Sequence, residues 1–203
     1  MISRLILENY KKKKPWICKG SFDISLNNLK SLEGSPSKVF GNFICNHNNL
    51  KNLIGSPSEV HKNYLCNDND LISLEGCASK VMGSFYCYFN KLENLEGSPE
   101  KVFGDFNCNS NMLVSLRGSP STINGTFSCS NNKLENLEGC PKNVGKDFKC
   151  YDSKSLISLE GHPEKIGGDF FCLGCPKLPI EEVMLLKKTG AVKGTILSDY
   201  GEF

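Results

Sequence analysis

The sequence predicts a capped solenoid, in which short parallel strands stack row upon row into a sheet of about eight strands between an N-terminal cap and a short C-terminal helical cap. Three observations predict it. The stretch "FICNHN" at 43–48 returns as "YLCNDN" 21 residues later and as "FYCYFN" 21 after that, and a fixed period of this length marks copies that stack. Cysteines stand in register at Cys45, Cys66, Cys87, Cys108, Cys129, Cys150 and Cys172, with Ile24 in the same place one row earlier. Two positions before them run Phe22, Phe43, Tyr64, Phe85, Phe106, Phe127, Phe148 and Phe170.

In chain order, residues 1–21 carry no row pattern, but Leu5, Ile6, Leu7, Trp16 and Ile17 are apolar enough to cover the first row, and a stacked repeat needs such a cap. Rows fill 22–178, with a one-residue insertion after Cys150. In V-x-G-x-F-x-C the residues alternate, so Val60, Tyr64 and Cys66 are expected to face inward while His61, Asn63 and Leu65 face out. Leucines such as Leu50 and Leu53 then turn inward from a non-strand segment, and Gly55 and Pro57 punctuate the return. Lys62 and Lys146 replace the second glycine, so that position does not demand a positive φ in every row. In 179–203, "PIEEVMLLKKTG" reads as a short helix over about 180–188 with Pro179 at its first position, acids early, bases late and a glycine stop. An extended piece, "AVKGTILSDY", follows.

The row F-x-C-x-x-N-x-L-x-x-L-x-G-x-P-x-x-V-x-G-x resembles the leucine-rich repeat family, with Phe and Cys in place of two leucines. The resemblance implies a leucine-rich repeat solenoid over the rows, and since that fold serves many binding roles it names no single function. The short rows rich in Gly, Pro, Lys and Asn are also similar to leucine-rich repeat proteins of tailed phages and large DNA viruses. That likeness implies a viral protein in the host cytoplasm that inhibits a host defence factor.

A net charge of +2 selects no partner class, and no apolar run approaches the ~20 residues that cross a bilayer. The N-terminus has its basic cluster after its apolar residues, so no membrane or secretory segment is expected, and the 11 cysteines are expected to be reduced thiols in a cytoplasm. The cysteine column reads as core filler, because zinc needs ligands converging as a tetrahedron and these thiols form a straight row. Cys172 and Cys175 are close, with no second pair to complete a site. Asn27, Asn48, Asn69, Asn90, Asn111 and Asn132 read as turn fasteners that satisfy backbone groups, a ladder that breaks near Ser153. His47, His61 and His162 occupy different columns and form no triad. No enzyme, metal or cofactor is therefore expected.

What varies between rows is the outward face. Ile44, Leu65 and Tyr86 stand between the aromatic and the cysteine, Phe40, Met82 and Phe103 follow the valine, and Tyr88 and Phe89 lie at the strand end. An exposed patch of aromatics and Met is typical of an interface, so these eight residues are the expected protein-binding site. Two structural alternatives stay open: the N-terminal cap folds over them, or the strands are shorter and Phe40, Met82 and Phe103 turn inward. Asp105, Thr126, Asp147 and Asp169 are expected to form a mildly acidic rim. The rival functions are binding of nucleic acid or an anionic surface by Lys11–Lys14, which the otherwise balanced charge disfavours, and self-association of the patch. The expected partner is a protein, with the chain itself a monomer or homodimer.

Overall fold

The computed structural model describes residues 15–203, so Leu5, Ile6, Leu7 and Lys11–Lys14 lie outside the described residues. The chain is a β-solenoid of about 21 residues per turn, and each row contributes two strands instead of one. Valine-column strands, from Ile17–Cys18 through Glu59–Val60 to Lys165–Ile166, form an eight-stranded parallel sheet. Aromatic-column strands, from Phe22–Asp23 through Phe106–Asn107 to Phe170–Cys172, form a second, and two C-terminal strands bring it to ten. The single strand expected over V-x-G-x-F-x-C is thus corrected to two, usually of two residues each, joined at a bend. Register is set by the period: Phe106 pairs with Phe85 on one side and Phe127 on the other.

The bend has its own fastening. The Oδ1 of Asn42 accepts the N–H of Asn63, Asn63 Oδ1 that of Ser84, Ser84 Oγ that of Asp105, and Asp105 Oδ1 that of Thr126, at 2.9–3.1 Å. Asp147 and Asp169 continue the series to the N–H groups of Asp169 and Thr195. The residues expected as an acidic rim thus have a second task, since these half-buried carboxylates hold backbone donors of the next row. A short acceptor at this position satisfies an amide that the break between the sheets would otherwise leave unpaired.

Inside, the columns pack as expected. The seven column cysteines, Cys45 through Cys172, are 0–1% exposed, as are Leu50 and Leu53, while Cys77 and Cys140 outside the column are half-buried, and the aromatic column stacks with ring centroids 5.0–6.1 Å apart from Phe22 to Phe170. Several thiols donate to the next row's backbone, Cys45 to Leu65 O at 3.4 Å and Cys108 to Ser128 O at 3.3 Å. Burial pushes the thiols up, Cys172 to about 12 and Cys175 to about 11, so thiolate is scarce near neutrality. Thiol alkylation of the native protein should therefore leave the seven column cysteines unmodified by mass spectrometry, and denaturant should be needed to label them. Rapid labelling of Cys87 or Cys108 without denaturant would contradict this packing.

From Asn48 to Asn132, each ladder asparagine bridges two rows. Asn90 Oδ1 accepts Leu71 N–H at 3.0 Å, and its Nδ2 donates to Cys66 O and Cys87 O at 3.1 and 3.0 Å. The break falls where expected: Ser153 is fully buried, too short to span the turn, and its hydroxyl has no partner. In the next row the place is held by Cys175, whose thiol donates to Cys150 O at 3.4 Å.

At the N-terminal end, Trp16 sets its ring edge on Phe22 at 5.4 Å and donates Nε1–H to Gly34 O. Ile17–Cys18 pairs with Lys38–Val39, so the stretch read as cap already holds half a row. At the other end the helix spans Ile180–Thr189, burying Val183 and Leu186 and ending on Gly190 at φ 68°. Pro179 is its N-cap, one position before the expected place. The extended tail adds Ile196–Ser198 in parallel and Gly201–Glu202 antiparallel to the aromatic sheet. Asp199 accepts the N–H groups of Gly174 and Cys175, tying the tail to the last row.

Candidate functional site

The two-sheet rows divide the expected patch. Phe40, Met82 and Phe103 stay outside, at 44%, 39% and 42% exposure, so the shorter strands do not turn them inward. They adjoin the valine sheet, where Phe40 stacks on His61 at 4.4 Å and Lys38 sits 5.4 Å from the Phe40 ring centre. Glu59 joins that cluster, 2.6 Å from Lys38 and 3.2 Å from His61. The Lys38 hydrogen bond, with lesser help from the charges of His61 and Lys80, holds its carboxyl below the usual range.

Ile44, Leu65 and Tyr86 lie on the aromatic sheet instead, side by side in register. Tyr88 and Phe89 extend this side at the strand end, the rings meeting edge to face at 6.4 Å for Tyr86–Tyr88 and 5.6 Å for Tyr88–Phe89. Desolvation pushes the Tyr88 phenol up, with the Asp68 charge adding to it, so the hydroxyl stays a neutral donor.

Phe89 is the least expected residue here. Its backbone is left-handed, φ 51°, as at every row of its column, where the others are Leu26, His47, Asp68, Ser110, Asn131, Asp152 and Gly174. Short polar residues tolerate that conformation, whereas a bulky one pays about 1–2 kcal/mol. Its ring is 57% exposed, so little core packing offsets the strain.

Beyond Tyr86 the aromatic sheet becomes recessed and polar. A concavity of about 260 Å³ runs across Asn107, Ser128, Asp105 and Thr126 between Tyr86 and Lys149 with Tyr151. A second, of about 370 Å³, shares Asn109 and Tyr151 with it and reaches Ser130 and Asp152. Sequence reasoning followed the outward column only through Ile44, Leu65 and Tyr86 and missed the groove. Its signal was the drop in side-chain size at Asn107 and Ser128 after Ile44, Leu65 and Tyr86.

The fold is a β-solenoid, and this face presents the side chains of its aromatic-column sheet to the surface. The chain matches no family model, and no curated protein matches it. No helix among the described residues is long and apolar enough to cross a membrane.

Proposed function

We propose that the solenoid is a protein-binding module whose main contact is the aromatic-sheet surface of Ile44, Leu65, Tyr86, Tyr88 and Phe89, with Phe40, Met82 and Phe103 as a second contact beside the valine sheet. The observation that carries the reading is Phe89, an exposed aromatic kept on a strained backbone against the Tyr88 ring, which in turn meets Tyr86. Strain of this kind collects at functional positions, and Tyr and Trp anchors dominate interface energetics. We extend the resemblance to phage and large DNA virus proteins to the partner: a protein of the infected cell, a defence component among them, held without catalysis.

The test is capture from cell extract with the wild-type chain and a Leu65→Ala/Tyr86→Ala variant as paired baits. Both residues are only half-buried, so the variant should melt within a few degrees of wild type by circular dichroism. A specific partner should be lost by the variant, roughly tenfold or more, as expected when a central anchor is removed. Equal capture by a folded variant would sink this site.

A further inference from the structure

We propose that the groove across the rows of Asn107, Ser128 and Lys149 binds a neutral oligosaccharide. Its floor is built from small polar side chains in two successive rows, Asn107 with Asn109 and Ser128 with Ser130, while larger residues rise on either side: Tyr86 in one row, Lys149 and Tyr151 in another. Three strand spacings separate those walls, about 14 Å at ~4.8 Å each.

The floor is ordered by its own bonds, which leaves a defined set of groups unused. Asn109 Oδ1 accepts from Ser128 Oγ at 2.7 Å and from Ser130 N–H at 2.8 Å, and Asn107 Oδ1 accepts from Asn109 N–H at 3.0 Å. These bonds aim both amide groups and leave their Nδ2 donors without a partner among the described residues. Ser130 borders the groove but is 1% exposed, and its hydroxyl has no partner among the described residues. The groups open to a ligand are therefore the two Nδ2 donors and the Tyr151 phenol, with Ser130 beneath the floor.

The chemistry of the groove selects the class. The strand backbone in its floor is already consumed: Phe106 N–H donates to Thr126 O, Cys108 N–H to Ser128 O and Ser110 N–H to Ser130 O. An extended peptide read by strand addition therefore finds no main-chain partner here. Charges alternate, with Asp105 and Asp152 against Lys149 and Lys154, and Lys149 itself lies 3.5 Å from Asp147, so neither an anion nor a cation is favoured. A sugar chain offers what remains: hydroxyls that both donate and accept, and flat C–H faces that pack on phenol rings, whose amphipathic character suits such a ligand.

Titration of the full chain with cellohexaose, maltohexaose and chitotetraose, followed by amide NMR, tests this. One of the three should shift the signals of Asn109, Ser130 and Tyr151, and Tyr151→Ala should weaken that binding roughly tenfold. Leu65→Ala, outside the groove, should leave it unchanged. No shift at those residues with any of the three sugars, or shifts that persist undiminished in Tyr151→Ala, would overturn the assignment. Tyr86 borders both surfaces, but Tyr151→Ala reads the groove alone and Leu65→Ala the protein-binding surface alone, so failure of one reading is distinguishable from failure of the other.

Discussion

Replacing Asn111 by alanine is expected to destabilise the solenoid by about 3 kcal/mol, while Ser153→Ala, in the same column, should change stability by no more than about 0.5 kcal/mol. Asn111 Oδ1 accepts Leu92 N–H at 3.1 Å, and its Nδ2 donates to Cys87 O and Cys108 O at 3.1 and 3.0 Å, all in the interior. Alanine removes these partners and fills none of the space, so a buried N–H and two carbonyls lose bonds that water reaches poorly. Each such loss costs on the order of 1–3 kcal/mol, with partial relaxation bringing the sum toward the lower figure. At Ser153 the ledger differs, because the hydroxyl has no partner to lose. Denaturant titration of both variants measures the contrast. Hydrogen exchange adds a local readout, since the Leu92 amide should lose protection in Asn111→Ala. Equal destabilisation by the two changes would mean that the column acts through volume and not through hydrogen bonds.

The stacking of rows was legible because each row spends the same residues on the same tasks. Cys45, Asn48, Leu50 and Leu53 face a neighbour of their own kind 21 residues away, so period and burial carry one message. The bend between the two sheets was not legible. Val60 and Tyr64 are four residues apart, and an even spacing puts both inward whether the strand continues or breaks at His61–Asn63. The fastener at the bend escaped for a related reason: Ser21, Asn42, Asn63, Ser84 and Asp105 do one job with three side-chain types, so the column reads as ordinary surface polarity. Of the candidate surface, the outward placement of Ile44, Leu65 and Tyr86 could be read from alternation. The left-handed backbone of Phe89 could not, since a glycine stands at that position only in the last row, at Gly174. Ser130 reveals its role only through the absence of a partner for a buried oxygen, which depends on coordinates and not on residue type.

Gly118→Ala is expected to be the more damaging of two glycine substitutions with the same formal conformational cost. Gly118 has φ 92° and Gly190, which ends the helix, has φ 68°, both in the region that a side chain disfavours. At Gly190 an added Cβ meets nothing within 4 Å, so the penalty is conformational alone, about 1–2 kcal/mol. At Gly118 the same atom would lie 2.4 Å from Glu96 N and Leu95 C and 2.5 Å from Leu95 O. Those are backbone atoms of the preceding row, held in turn by the Leu95 N–H bond to Arg117 O at 2.8 Å, and no rotamer change relieves the overlap. Rows must therefore separate locally, which strains the contacts on both sides of Gly118 and raises the total cost above about 3 kcal/mol. Because stability in a stacked array is a sum of row and interface terms, the loss should concentrate at that interface. Amide exchange should accelerate near Leu95 and Leu116 while the C-terminal helix keeps its protection, and Gly190→Ala should produce the opposite distribution. A Gly118→Ala protein as stable as Gly190→Ala would show that rows can slide apart at little cost, and would remove close backbone stacking as the reason for this glycine column.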